Sequence, residues 1–241
     1  LSRELYPKQL LNIQNKESLL QETYKRVLGL VPSKKIISVT NTKHCANVKY
    51  QLSSIEKDSI VISEPIAKNT ASAIALAVKY VIDKVKSQDE IILVVPSDHK
   101  IEDIEKFKKS IEDGEKLASK GYLVTFGVKP NYAETGFGYM EIGEKLDLGY
   151  RVKSFVEKPD DKLAKEYSNN SNYYWNSGIF MFKVSTFMKE LKEYAPNIYS
   201  VINKIDFNVS ENVSYNEFEK LPYISFDYAV LEHSKNIVMS E

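Results

Sequence analysis

The 241-residue sequence carries 33 lysines and arginines against 33 aspartates and glutamates, so its formal net charge is zero. A chain without net charge has no overall attraction for polyanions, which argues against a dedicated nucleic-acid or membrane-surface binder. With 43% hydrophobic and 27% charged residues, nine glycines and eight prolines, the composition is globular rather than disordered or collagen-like. Even the apolar Asn69–Val78 stretch is stopped by Lys79, well short of the roughly 18 residues that cross a bilayer. Cys45 is the only cysteine, and His44, His99 and His233 lack zinc-ligand spacing, so a reducing, cytoplasmic setting is expected. The opening Leu1–Gln9 segment has neither a basic nor an apolar leader region, and no signal peptide is expected.

In chain order, Ser18–Leu30 places Leu19, Leu20, Tyr24, Val27 and Leu28 at helical spacing, with Gly29 and Pro32 as stop signals. A β-branched run at Lys35–Thr40, a helix over Lys43–Leu52 and a strand at Ser59–Ser63 follow. Asn69 is placed to cap a helix reaching Val85, whose alanines at 71, 73, 75 and 77 favour helix and close packing. Glu90–Val95 is apolar after its first residue, the pattern of a strand covered on both faces, and it is expected at the centre of a parallel sheet. Ile101–Ser119 reads as an amphipathic helix and Tyr122–Val128 as a strand. Beyond Pro130, strands are expected at Phe137–Ile142, Tyr150–Glu157 and Gly178–Phe182, and helices at Asp160–Tyr167, Val184–Tyr194 and Asn197–Ile205. The alternation predicts an α/β fold with βαβ rhythm in the first half and a mixed α/β insertion on the same sheet in the second, in one domain of two lobes. The first lobe covers 1–130 and the second 131–241.

Several segments could carry chemistry. Val94-Val-Pro-Ser-Asp-His99 runs from an apolar strand into a turn bearing Ser97 and Asp98, where open sheets bind ligands. An aspartate there can hold magnesium against phosphate oxygens, and helix capping explains the same residues equally well. Glu64-Pro-Ile-Ala-Lys-Asn-Thr70 enters the alanine-rich helix, so Asn69 and Thr70 can either cap it or bind a polar ligand at its N-terminus. The glycines of Thr135-Gly-Phe-Gly-Tyr139 allow backbone to approach a sugar ring, or simply make a hairpin turn. Phe155-Val-Glu-Lys-Pro159 offers Glu157 to a sugar hydroxyl and Lys158 to a phosphate, with a solvated ion pair as the alternative. The residue before a proline is held extended, so Lys158 is expected in that conformation. Trp175-Asn-Ser-Gly-Ile-Phe180 and the lysine of Pro7-Lys8-Gln9 complete the set. No Walker loop, G-x-G-x-x-G turn or hydrolase triad can be assembled.

In their order along the chain, these motifs, together with Leu1-Ser-Arg3 and Phe226-Asp-Tyr-Ala-Val-Leu-Glu232, resemble the mannose-1-phosphate guanylyltransferases, the GDP-mannose pyrophosphorylases. The resemblance covers essentially the whole chain. It implies an α/β nucleotidyltransferase fold with a Rossmann-like, mostly parallel mixed sheet flanked by helices, and an enzyme that joins GTP and mannose 1-phosphate into GDP-mannose and pyrophosphate, with magnesium as cofactor. It implies nucleotide-binding roles for Arg3, Lys8, Glu64, Asn69, Thr70, Ser97 and Asp98. Gly138, Glu157, Lys158 and Asn176 match positions around the sugar phosphate; Lys8, Asp98 and Lys158 are the implied catalytic residues and Asp98 the metal ligand.

Three departures stand out within the motifs: Lys68 where arginine is common, Ser72 where proline is common and Phe137 where tyrosine is common. The family's glycine-rich stretch is expected just before Leu1 and its Trp-Ser-Asp element, with a second metal-binding aspartate, just after Glu241, so the sequence is expected to be truncated at both ends. Another sugar-1-phosphate nucleotidyltransferase, or a non-catalytic nucleotide-sugar-binding regulator, is the competing reading. A homodimer is compatible with the resemblance; nucleic acid and membrane are not expected partners.

Overall fold

The computed structural model describes residues 7–12, 17–87, 89–210 and 213–241. The first helix, α1 (Leu19–Leu28), starts in a capping box: Ser18 accepts from the Gln21 backbone, and the Gln21 side chain accepts from Ser18. Strand β1 (Ile37–Asn41) passes directly into α2 (Thr42–Ser53), with Asn41 as N-cap, and β2 (Ile60–Glu64) returns parallel to β1 in a two-stranded sheet. The expected long helix is α3 (Thr70–Val85), and Asn69 caps it by accepting from the Thr70 N–H. Then come β3 (Ile91–Val94), α4 (Ile104–Ser119) capped by Asp103, and β4 (Leu123–Val128).

The second half supplies β5 (Tyr139–Leu146), β6 (Gly149–Val156), α5 (Asp161–Ser168), β7 (Tyr173–Lys183), α6 (Val184–Tyr194) and α7 (Pro196–Ile202). Pro196 occupies the first turn of α7, where its missing N–H costs nothing. A short α8 (Tyr215–Phe218), a π-helical turn at Asp227–Leu231 and β8 (Ile237–Ser240) end the chain.

The large sheet has the order β3-β7-β4-β8-β6-β5. The α/β layering is as expected, and the balance of strand directions is not. Within this sheet only β4 and β8 are parallel, while β3/β7, β4/β7, β5/β6, β5/β7 and β6/β8 are antiparallel. Nor is β3 central; it lies at the edge, paired to β7 alone. Its apolar run is explained by layering. Ile92 and Val94 pack on the main core built from α3, α6 and α7, while Ile91 and Leu93 pack on a second core beneath α4. An unbroken apolar strand reports that both faces are covered, which edge and central strands can equally satisfy. The position between β4 and β6 belongs to β8, all four of whose residues are buried.

Candidate active site

The sheet brings together the turn after β3 and the middle of β7. Gly178, at φ 70°, lies so close to that turn that an added Cβ would sit 3.6 Å from Pro96 Cγ. The Pro96–His99 turn is also anchored from the other side by Arg26 of α1, whose guanidinium donates to the His99 carbonyl at 3.0 Å. Ser97 and Asp98 form the turn itself. Lys8, from far earlier in the chain, reaches it: its Nζ is 3.6 Å from Asp98 Oδ2, with both side chains about half exposed. Burial, with Arg26 and Lys8 nearby, holds the His99 imidazole below its ordinary pKa, against the pull of Asp98. Arg3 lies outside the described residues.

Glu64 ends β2. Its carbonyl accepts from the Thr42 hydroxyl at 2.8 Å, yet its carboxyl Oε1 is buried with no hydrogen-bond partner among the described residues. At 7% exposure, burial lifts its carboxyl from 4.5 to about 7. Folded Glu64 therefore binds its proton more tightly than unfolded Glu64, and this stabilisation is full below about pH 4.5 and lost as pH rises through about 7. The shift corresponds to about 3 kcal/mol. Glu64→Gln is expected to match the parent in stability at pH 4 and to exceed it by up to about 3 kcal/mol at pH 8, read from urea-unfolding midpoints. Equal stability of the two proteins at both pH values would contradict the buried, unpaired carboxyl.

Asn69, at φ 70° and ψ −176°, lies outside the αL region, in a positive-φ conformation otherwise left to glycine. The side chain of its neighbour Thr70 accepts from the Phe226 N–H at 2.9 Å, while Ala71 N–H donates to the Ile224 carbonyl at 3.3 Å. The entry to α3 is thus stitched to the segment leading into the π-helical turn.

The remaining candidates form one contiguous group. Gly138 is buried, and an added Cβ would lie 2.5 Å from Glu157 Oε2 and 3.0 Å from Phe155 Cζ. Its carbonyl accepts from Asn176 N–H at 2.8 Å. The bare Cα is what allows the Glu157 carboxyl to rest against this strand. Gly138→Ala is expected to displace that carboxyl and to crowd the Phe155 ring, lowering stability by about 1–3 kcal/mol as read from the urea-unfolding midpoint. A parental unfolding midpoint would show that neither side chain is held against Gly138.

Lys158 Nζ is 3.5 Å from Glu157 Oε1. Burial, then Asp227, raises the Glu157 carboxyl above its ordinary range, and Lys158 opposes them. Lys158 itself departs from expectation: its φ is 50°, not extended, despite the proline that follows. A left-handed lysine costs on the order of 1–2 kcal/mol, and such conformations concentrate where function fixes a side chain. Asn176 donates to Asp227 Oδ1 at 2.7 Å and accepts from the Thr125 hydroxyl at 2.7 Å. Neither Asp227 nor Thr125 stands out in the sequence as a site residue; Asp227 lies in a segment whose five-residue turn has no apolar periodicity to announce it.

An aromatic layer backs this group. Tyr132 and Phe137 stand edge-on to Trp175, at centroid distances of 4.9 and 5.4 Å. Trp175 is buried, and its indole N–H has no partner among the described residues.

A turn bearing a lysine–aspartate pair, joined across one sheet to a Glu-Lys-Asn cluster, suits an enzyme that handles phosphate esters. The chain belongs to the nucleotidyl transferase family, whose sequence pattern matches residues 1–219. Among its relatives is a mannose-1-phosphate guanylyltransferase of Salmonella typhimurium, 39% identical over 246 residues, a match that spans 99% of this chain and 51% of the relative. The chain therefore spans about half the length of the curated relatives it matches. Two solved structures are similar over all of this chain. One, from Thermus thermophilus, described as a mannose-1-phosphate geranyltransferase, superposes with a TM-score of 0.87 at 28% identity over 68% of its length. The other, from Helicobacter pylori, described as a mannose-6-phosphate isomerase, gives 0.86 at 34% identity over 94% of its length. Among the described residues no helix is long and apolar enough to cross a membrane.

Proposed function

We propose that this chain carries the transfer of GMP from GTP to mannose 1-phosphate, giving GDP-mannose and pyrophosphate. The observation that supports the reading is the close approach of Gly178 to Pro96, where an added Cβ would lie 3.6 Å from the proline ring; it sets the turn that holds the Lys8–Asp98 pair beside the strand that carries Asn176. The choice of guanine and mannose rests on the similarity to proteins bearing those names. In this reading residues 1–130 serve the nucleotide and 131–241 the sugar phosphate, in a cytoplasmic setting.

The chemistry needs little from acid–base side chains. A phosphate monoester with a second pKa of about 6 is mostly dianionic at pH 7, so its oxygen attacks the α-phosphorus of GTP unaided. A new P–O bond forms as the bond to the β-phosphate oxygen breaks, and pyrophosphate leaves in line. The protein's task is placement and charge. Lys158 neutralises the sugar phosphate, Glu157 accepts from sugar hydroxyls, Asn176 donates to the sugar, and Lys8 attends the triphosphate, with Arg3, Ser97, Glu64, Asn69 and Thr70 around the nucleoside.

Magnesium fits this site. Asp98 offers a half-exposed hard-oxygen ligand beside the position read for phosphates, and magnesium typically takes one or two carboxylates and completes its shell with water and phosphate oxygens. Bound there, the ion would supply positive charge to the phosphates.

The deciding experiment is pyrophosphate release by the complete reading-frame product with magnesium, mannose 1-phosphate and GTP, ATP, UTP, CTP or dTTP in turn. GTP-selective release is expected. Release with a different nucleotide would overturn the base assignment. GDP-mannose binding without release would replace the transferase reading with a regulatory one.

A further inference from the structure

A carboxamide can present either its oxygen or its N–H groups to a ligand, and a site that needs a donor must fix which. At Asn176 the choice is fixed from both ends. Asp227 Oδ1 takes one N–H of the amide at 2.7 Å, and an ionised carboxylate can only accept. The Gly178 N–H, which can only donate, reaches Asn176 Oδ1 at 3.2 Å, and the fully buried Thr125 hydroxyl reaches the same oxygen at 2.7 Å. The oxygen is thereby filled. One N–H of Nδ2 has no partner among the described residues and remains to donate.

The placement of Asp227 is itself specified. Glu232 N–H donates to the Asp227 carbonyl at 3.0 Å, closing an i-to-i+5 turn, a rare backbone form that gathers at functional sites. The Glu232 carboxylate then accepts from the Glu157 N–H at 3.2 Å. The two ends of one π-helical turn thus hold Asn176 and Glu157. Burial raises the Asp227 carboxyl above its ordinary range; its own backbone amide, the Asn176 amide and the Lys158 ammonium draw it back.

We propose that Asp227 is a positioning residue: it turns the Asn176 carboxamide so that a free N–H, and not the oxygen, faces the sugar phosphate. The ligand named here rests on the proposed function; the orientation of the amide does not. If Asp227 merely fastened the π-helical turn to β7, its loss would lower stability and leave the balance between the two substrates untouched.

The test uses the complete reading-frame product and two variants, Asp227→Ala and Asp227→Asn. Asp227→Ala is expected to raise the KM for mannose 1-phosphate about tenfold or more, with the KM for GTP changed less than about twofold. Asp227→Asn, whose oxygen can still accept from Asn176, is expected to restore most of that loss. A ligand-free measurement accompanies the kinetics: the side-chain amide resonance of Asn176 in protein labelled with 15N-asparagine, assigned by its disappearance in Asn176→Ala. It is expected to move toward the position of a free amide in Asp227→Ala. An unmoved resonance, or equal rises in both KM values, would overturn the proposal. If the resonance moves but the parent protein neither binds nor turns over mannose 1-phosphate, Asp227 keeps its role in orienting Asn176 and the substrate reading falls.

Discussion

Asp98→Asn is expected to cut magnesium-dependent pyrophosphate release by about a thousandfold or more, because a neutral amide is a far poorer ligand for a hard cation than a carboxylate. A thousandfold corresponds to about 4 kcal/mol in the barrier, the scale of losing charge stabilisation at a reacting phosphate. The fold is expected to survive. Asp98 is half exposed, and its pairing with Lys8 at 3.6 Å is of the surface kind worth at most about 1 kcal/mol. Steady-state release measured across a magnesium titration, beside the urea-unfolding midpoint, separates the two effects. Near-parental turnover at every magnesium concentration would remove Asp98 from the site.

The second large effect is expected at Lys158, through two substitutions that differ in their consequences for stability. Both Lys158→Ala and Lys158→Gly remove the ammonium and are expected to raise the KM for mannose 1-phosphate by about ten- to a hundredfold, with a smaller change for GTP. They differ in backbone. At φ 50° an alanine retains the left-handed penalty, whereas glycine escapes it at some cost in unfolded-state entropy. Lys158→Gly is therefore expected to unfold later than Lys158→Ala by up to about 1 kcal/mol while being no better an enzyme. Equal stability of the two would show that the turn carries no strain; parallel rises in both KM values would detach Lys158 from the sugar phosphate.

What was legible in the sequence follows physical range. The helices α1, α3, α4 and α5 could be read because their caps and apolar spacing act over a few residues, and each cap forms with its neighbour as the local chemistry dictates. Asp98 was legible for the same reason, as an acid at the end of an apolar strand. Strand order was not. The apolar run of β3 records that two cores cover it, and nothing in those residues says that β7, some ninety positions later, would be its single partner in the sheet. Only four residues make up β8, too few for a periodicity to declare itself. The conformation of Lys158 reversed the local rule for a residue before proline, which marks a place where the surroundings overrule local preference. Asp227 stood in a motif that the sequence marked, Phe226–Glu232, but its pairing with Asn176, 51 positions away in the chain, appeared only in the fold.

Trp175 is the only tryptophan among the 241 residues, and it adjoins Asn176. Its indole N–H is buried without a partner among the described residues, while the rings that meet it edge-on, Tyr132 and Phe137, are exposed at 52% and 42% and flank the turn that ends at Gly138. Any tryptophan emission from this chain therefore arises at one address. An unhydrated indole emits toward the blue, and drawing either ring away would admit water and shift the spectrum to the red. The chain thus carries a built-in optical gauge of that turn, legible in a cuvette without a label.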